Sequence, residues 1–178
     1  LVAMERQKAW SNGHLKKVIQ EEHLDKRDAA LATRLCYGVL QNRLLLDFYL
    51  RQLVTGSLRR LRPITLDVLR LGLYQLYFMD KIPPSAVVNE AVSQTRRFGD
   101  KGAAGLVNAV LRGADRRRGQ LREPEDLATR YSHPQPLVDL LARDLGQENL
   151  EAVLPAISHG LEMLSGRPAD CAKLTDRP

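Results

Sequence analysis

The sequence predicts an all-α protein, and three observations carry that prediction. Apolar residues recur at the i, i+3, i+4 spacing of a helix face in several segments, and no segment sustains the period of two that marks a half-buried strand. The chain is 44% hydrophobic and 27% charged, ordinary values for a soluble globular protein, while aromatics at 5% are sparse and leucine is abundant. At 178 residues it suits one domain with a short appendage and can bury about two-thirds of its unfolded surface.

Residues 2–10 read as the end of a first helix that begins before the sequence does, broken at Ser11-Asn12-Gly13, and 14–22 form a short second helix. Asp25 is an N-cap candidate for a longer helix over 26–42, whose Ala29, Ala32, Leu35, Cys36, Val39 and Leu40 follow the helical spacing. RLLLDFYLRQL continues as the next helix and Thr55-Gly56-Ser57 ends it. After the basic turn LRRLR, Pro63 suits the N1 position, and 64–79 is apolar almost all round, with Asp67 and Arg70 its only charged stripe. Such a helix is central and buried on most sides, and Val68, Leu69, Leu73 and Leu76 are its core residues.

Pro83 and Pro84 stop that helix and start another, with an inward stripe of Val88, Ala91, Val92, Thr95 and Phe98. Residues 99–102 make the turn. The following helix opens with Ala103, Ala104 and Gly105, small enough for a close helix contact, and buries Val107, Val110 and Leu111. Residues 116–125 form a charged linker or an exposed helix end, 126–131, 135–145 and 148–154 shorter helices, and 158–178, with Gly160, Gly166, Pro168 and Pro178, a poorly ordered tail.

Several chemistries lack support in the sequence. Cys36 and Cys171 are far apart and lack metal-ligand spacing, so neither a disulfide framework nor a zinc site is expected, and Cys36 is read as a small core residue. His14, His23, His133 and His159 sit apart, with no HExxH and no carboxylate or cysteine pair at ligand spacing, so no metal site is expected. Gly99, Gly102 and Gly105 follow no predicted strand and carry no nucleotide-binding weight. No Ser, Cys or Lys nucleophile has a base and an orienting partner nearby in sequence, and no catalytic residue is assigned. With no apolar run of about 18 residues and charges within the first few positions, neither a membrane span nor a signal peptide is expected, and the chain is read as cytoplasmic.

The formal charge of +6 is unevenly placed. Between residues 96 and 122, Arg96, Arg97, Lys101, Arg112, Arg116, Arg117, Arg118 and Arg122 oppose only Asp100 and Asp115, a local net of +6. That surplus suits a phosphate backbone, whose condensed counterions are released on contact, or else a solvated basic face. Two asparagines, Asn89 and Asn108, each lie one position past an apolar stripe residue. Asparagine is a poor interior helix residue because its amide competes for backbone hydrogen bonds, so the pair is read as structural, tying the helices together or holding a loop backbone, with direct ligand contact as the alternative.

IPPSAVVNEAVSQTRRFGDKGAAGLVNAVLR, with Asn89-Glu90-Ala91-Val92 and Val107-Asn108-Ala109-Val110-Leu111-Arg112 as its most specific words, closely resembles the paired-helix signature of the NusB-like domain. The preceding LRPITLDVLRLGLYQLYFMDKIP resembles the helix that introduces it, and the similarity covers about residues 1–118. The resemblance implies a NusB-like helical bundle of two packed subbundles that binds RNA. The domain occurs free, as the transcription antitermination factor NusB, and at the N-terminus of the 16S rRNA (cytosine-5) methyltransferase B (RsmB) family. Arg130-Tyr131-Ser132-His133-Pro134, Leu137-Val138 and Leu145-Gly146 resemble the connector leading into that methyltransferase part, although Pro136 stands where an aromatic is usual.

The expected layout is therefore a NusB-like RNA-binding domain over 1–118, a helical connector over 119–157 and a divergent tail over 158–178. The tail does not resemble the family's continuation, and the family's S-adenosylmethionine-binding domain, catalytic cysteines and N-terminal arginine-rich segment have no counterpart here, so Cys36 and Cys171 inherit no role. The expected function is rRNA binding in rRNA processing. The alternatives are an antitermination factor regulating transcription with RNA and a ribosomal protein, or a helical interaction module with no RNA role. Charge placement nominates Arg59, Arg60, Arg62, Arg96, Arg97, Lys101, Arg116, Arg117 and Arg118 as RNA contacts. No cofactor is expected in this chain, S-adenosylmethionine entering only with a methyltransferase domain.

Overall fold

The computed structural model describes residues 1, 11–98 and 100–164, the side chains of 11, 12 and 159–164 aside. The helix expected over 2–10 and the last part of the tail, 165–178, lie outside the described residues. Among the described residues there are nine α-helices and no strand, as the periodicity predicts. In chain order they are α1 (Ser11–Glu21), α2 (Lys26–Gln41), α3 (Arg43–Leu53), α4 (Pro63–Phe78), α5 (Pro84–Arg97), α6 (Ala104–Arg116), α7 (Leu127–Arg130), α8 (Gln135–Leu145) and α9 (Leu150–Leu164).

Local chemistry sets these boundaries. Asp25 caps α2 by accepting from the Asp28 backbone N–H at 2.8 Å. Asn42 closes α2 and opens α3. Its backbone N–H and its Nδ2 both donate to the Gly38 carbonyl, at 3.1 and 2.9 Å, and its own carbonyl accepts from Leu46. Pro63 and Pro84 stand at the starts of α4 and α5, where a missing N–H costs nothing. The last helix runs on to Leu164, so residues 158–164, expected in the tail, are helical. The expectation failed because Pro155 and Gly160 punctuate the sequence, whereas Pro155 sits within the helix and forfeits one internal bond.

The predicted centre is the observed one. Helix α4 packs against α2, α3, α5 and α6, and Val68, Leu69, Leu73 and Leu76 are all buried among Leu46, Leu50, Val87, Val107 and Leu111. Two glycines permit this closeness. A Cβ on Gly38 of α2 would lie 2.1 Å from Cζ of the Tyr74 ring, and one on Gly72 of α4 would lie 2.6 Å from the Leu111 side chain. Tyr77 adds a polar tie, donating its hydroxyl proton to the Ala114 carbonyl at 3.1 Å.

Three expectations about faces are corrected. Phe98 is 56% exposed, because α5 ends at Arg97 and the helical period stops with it, while Val87 fills the inward place. Gly105 faces open space, and of the three small residues only Ala104 is buried. Asp67 and Arg70, the charged stripe of α4, are buried. The Arg70 guanidinium reaches across to α3, donating from Nε and Nη2 to the two carboxylate oxygens of Asp47 at 2.8 and 2.9 Å, and from Nη1 to Asp67 at 3.1 Å.

Helices α7 to α9 gather a second, smaller core of Ala128, Val138, Leu150 and Leu154. It is fastened to the bundle where the Leu44 N–H of α3 donates to Ser132 Oγ at 2.8 Å.

Two substitutions test this packing. Arg70→Ala leaves Asp47 and Asp67 without their cation and is expected to cost about 3–5 kcal/mol, read from the urea midpoint at unchanged slope. Helix propensity alone would make Gly38→Ala stabilising, but the Tyr74 ring turns it into an overpacking change expected to cost about 1–3 kcal/mol. Gly102→Ala, where nothing lies within 4 Å, serves as the neutral control in the same denaturation series.

Candidate nucleic-acid interface

The arginines nominated from the sequence fall into two groups. The first lies around the turn between α5 and α6. Arg96 and Arg97 occupy the last turn of α5, Lys101 starts the following 3-10 turn, and all three are exposed. Asp100 joins this turn to the one before α4, standing 3.9 Å from Arg62 Nη1 and accepting a hydrogen bond from the Thr65 hydroxyl. Exposed Phe98 projects beside these cations, with the Arg97 guanidinium 5.8 Å from its ring centroid.

The second group collects at the C-terminal ends of α3 and α6. Arg116, Arg117 and Arg118 are exposed there, and Arg117 donates from Nη1 to the Gln52 carbonyl at 3.3 Å. Arg118 pairs with Asp80 at 3.5 Å across the surface, a contact of little energetic weight at that exposure. Arg59 and Arg60 are exposed on the 3-10 turn Leu58–Arg60, whose Leu58 is buried in the main core.

Beyond α6 the chain doubles back along α3 and is pinned to it. The Gln52 side-chain amide grips the Arg122 backbone from both sides: its Nε2 donates to the Arg122 carbonyl at 3.0 Å and its Oε1 accepts from the Arg122 N–H at 2.9 Å. One residue on, Glu123 accepts from the Tyr49 hydroxyl at 2.5 Å, and Leu121 is buried in the main core. These pins create a recess of about 440 Å³ lined by Phe48, Arg51, Gln52, Arg117, Gln120 and Arg122. Its charged lining is three arginines and no carboxylate. A second recess, of about 530 Å³, shares Arg51 and adds Arg59, with the Asp47–Arg70 pair in its wall. Arg51 thus links the two into one basic track along α3.

Arg51 is the residue that sequence reasoning missed, and Arg122 was counted in the charge surplus without being nominated as a contact. Arg51 shares its helix with Arg43 and Asp47 and belongs to no charged run in the sequence, and only the return of residues 117–124 brings Arg117 and Arg122 beside it. The basic residue in the last turn of a helix was the available signal.

The two asparagines sit elsewhere. Val88 and Val107 are buried, and the next residue on each helix is turned about 100° from the core. Asn89 is accordingly exposed, and half-buried Asn108 accepts from Arg112 Nε of its own helix at 3.0 Å, a bond along α6 where a tie to α5 was expected. His133 is buried in the small core, its Nε2 3.2 Å from the Leu154 carbonyl and 3.0 Å from Ser158 Oγ. Among the described residues no group of three or more His, Cys, Asp or Glu is placed to hold a metal ion. No described helix is long and apolar enough to cross a membrane.

The family model described as NusB family matches residues 1–116. The chain belongs to the NusB family. Curated relatives fall into two kinds. A protein of Bacillus subtilis named "Probable ribosomal RNA small subunit methyltransferase B" is 37% identical over 158 residues, covering 86% of this chain and 35% of the relative. A protein of the same name from Synechocystis is 29% identical over 153 residues, covering 83% of this chain and 34% of the relative. A "Transcription antitermination protein NusB" from Ruminiclostridium cellulolyticum is 32% identical over 112 residues, covering 62% of this chain and 77% of that protein. This NusB-family chain thus spans about a third of the length of the methyltransferase relatives it matches.

The Gln52 grip has a direct readout. Gln52→Ala is expected to speed exchange of the Arg122 amide hydrogen by about fivefold or more, the equivalent of losing one net hydrogen bond, while amides of α4 keep their protection.

Proposed function

We propose that this chain is an RNA-binding domain of the ribosomal RNA small subunit methyltransferase B type, holding rRNA in the cytoplasm for a methyltransferase domain that acts on it. The observation that carries the RNA reading is the exposed arginine track along α3 and the end of α6, with the second basic group at the α5–α6 turn. Chains that neutralise several phosphates release condensed counterions, and this entropic gain supplies sequence-independent affinity. Arg117 is already held at the Gln52 carbonyl, which lowers the ordering cost of binding there.

The methyltransferase assignment draws support from the reach of the alignments. The match to the Bacillus subtilis relative covers 86% of this chain, more than the 116 residues of the family model, and so includes residues beyond the bundle. On this reading the chain binds and orients RNA, and S-adenosylmethionine is held by the methyltransferase domain and not by these residues. The second reading, a transcription antitermination factor that pairs RNA with a ribosomal protein, is favoured by the relatives named NusB, one of which matches 62% of this chain. Capture of ribosomal protein in preference to rRNA fragments would favour that second reading.

The electrostatic reading makes a quantitative claim. With Arg116, Arg117 and Arg118 all replaced by Glu, binding to a small-subunit rRNA fragment is expected to weaken, and the slope of log affinity against log salt to flatten by about 2. Fluorescence anisotropy across a potassium chloride series reads both. Affinity and slope unchanged from the parent protein would remove these residues from the interface.

A further inference from the structure

We infer that the recess between the ends of α3 and α6 is a mononucleotide subsite for single-stranded RNA, taking a phosphate on its arginines and the attached base against Phe48. The inference rests on the RNA-binding reading above and goes beyond it, because a basic surface alone holds phosphates and ignores bases.

The lining divides into the parts such a ligand needs. Arg51, Arg117 and Arg122 supply three guanidinium groups with no carboxylate among the lining residues. Glu123, next to Arg122 in sequence, accepts from the Tyr49 hydroxyl and does not line the recess. Arg117 is oriented by its bond to the Gln52 carbonyl, which uses one of a guanidinium's several N–H donors. Arg122 is placed by the double grip of Gln52 on its backbone. The guanidinium of Arg117 and the backbone of Arg122 are thus held before any ligand arrives.

The apolar part is Phe48. It is half-buried, its ring held edge-on to Tyr49 with centroids 5.9 Å apart at 71°, and it contributes to the recess wall. An aromatic wall beside cations is what distinguishes a base-accepting site from a phosphate-only one. Gln120, exposed at the rim, offers an amide that can both donate to and accept from a base edge. The recess, at about 440 Å³, lies within the range of small-ligand sites, roughly 300–1,000 Å³. A paired base is stacked and cannot enter, so the ligand is an unpaired nucleotide.

The test compares two probes of equal length and phosphate charge, a uridine oligomer and an oligomer of abasic ribose phosphates, by fluorescence anisotropy at fixed salt. The protein is expected to bind the uridine oligomer at least about fivefold more tightly. Phe48→Leu, which keeps an apolar side chain but removes the ring, is expected to erase that preference and leave abasic binding unchanged. Arg122→Ala is expected to weaken both probes alike. Gln120→Ala lies at the exposed rim and decides the matter if Phe48→Leu melts early: it is expected to reduce the preference with the thermal midpoint unmoved. Equal binding of both probes by the parent protein, or a preference that survives Gln120→Ala and a folded Phe48→Leu, overturns the subsite and leaves the RNA reading standing. Failure of the parent protein to bind either probe or the rRNA fragment overturns that reading, and the subsite with it.

Discussion

A guanidinium buried between two helices of a bundle has to be answered by carboxylates, and the seating of α3 against α4 follows from how Arg70 is answered. One carboxylate, Asp67, lies a helical turn away on α4 itself. The other, Asp47, comes from α3, and its two oxygens meet two nitrogens of the fork. Such a bidentate contact fixes distance and angle together, which apolar packing alone does not. Leu46 and Leu50, on the same helix, are thereby set against Leu69 and Leu73 in one arrangement. Here the clamp supplies orientation and the leucines supply the driving force.

From that fixed α3 the functional surface is assembled outward. Phe48, Arg51 and Gln52 follow Asp47 within two turns, so their directions are inherited from the clamp. Gln52 and Tyr49 then capture the strand of chain leaving α6 and lay Arg117 and Arg122 beside Arg51. Core and candidate site are therefore two sides of one helix. That coupling makes a compact binding surface possible in a chain with few aromatics, because each exposed side chain is anchored by a buried neighbour.

The legibility of the sequence divides along the same line. Helix positions, the central place of α4 and its core residues were readable because burial of a helix leaves a strong period of 3.6 and prolines mark its start. Phe98 misled because periodicity was carried one step past the end of α5, and Gly105 because small size was taken for contact. The burial of Asp67 and Arg70 was not readable, since charge signals solvent unless the partner is known and Asp47 is over a helix away. The recess escaped for a similar reason. Arg51 and Arg122 are about seventy residues apart, and their meeting depends on the hydrogen bonds of Gln52, a residue with no distinguishing pattern. Of the arginines chosen by charge, Arg59 and Arg117 line the two recesses, whereas neither asparagine does.

The junction at Asn42 gives this arrangement a phase. A single residue ends α2 and begins α3, with its amide and its backbone both held on the Gly38 carbonyl, and Gly38 is itself locked under the Tyr74 ring. No slack residue exists between the two helices to absorb a change in length. One inserted residue would turn α3 by about 100°, carrying Asp47 off its cation and swinging Phe48 and Arg51 out of the track they share. The spacing from Gly38 to Gln52 behaves as a gear train in which tooth count matters more than tooth identity, and a drift in length there would uncouple the surface from the core before any side chain was altered.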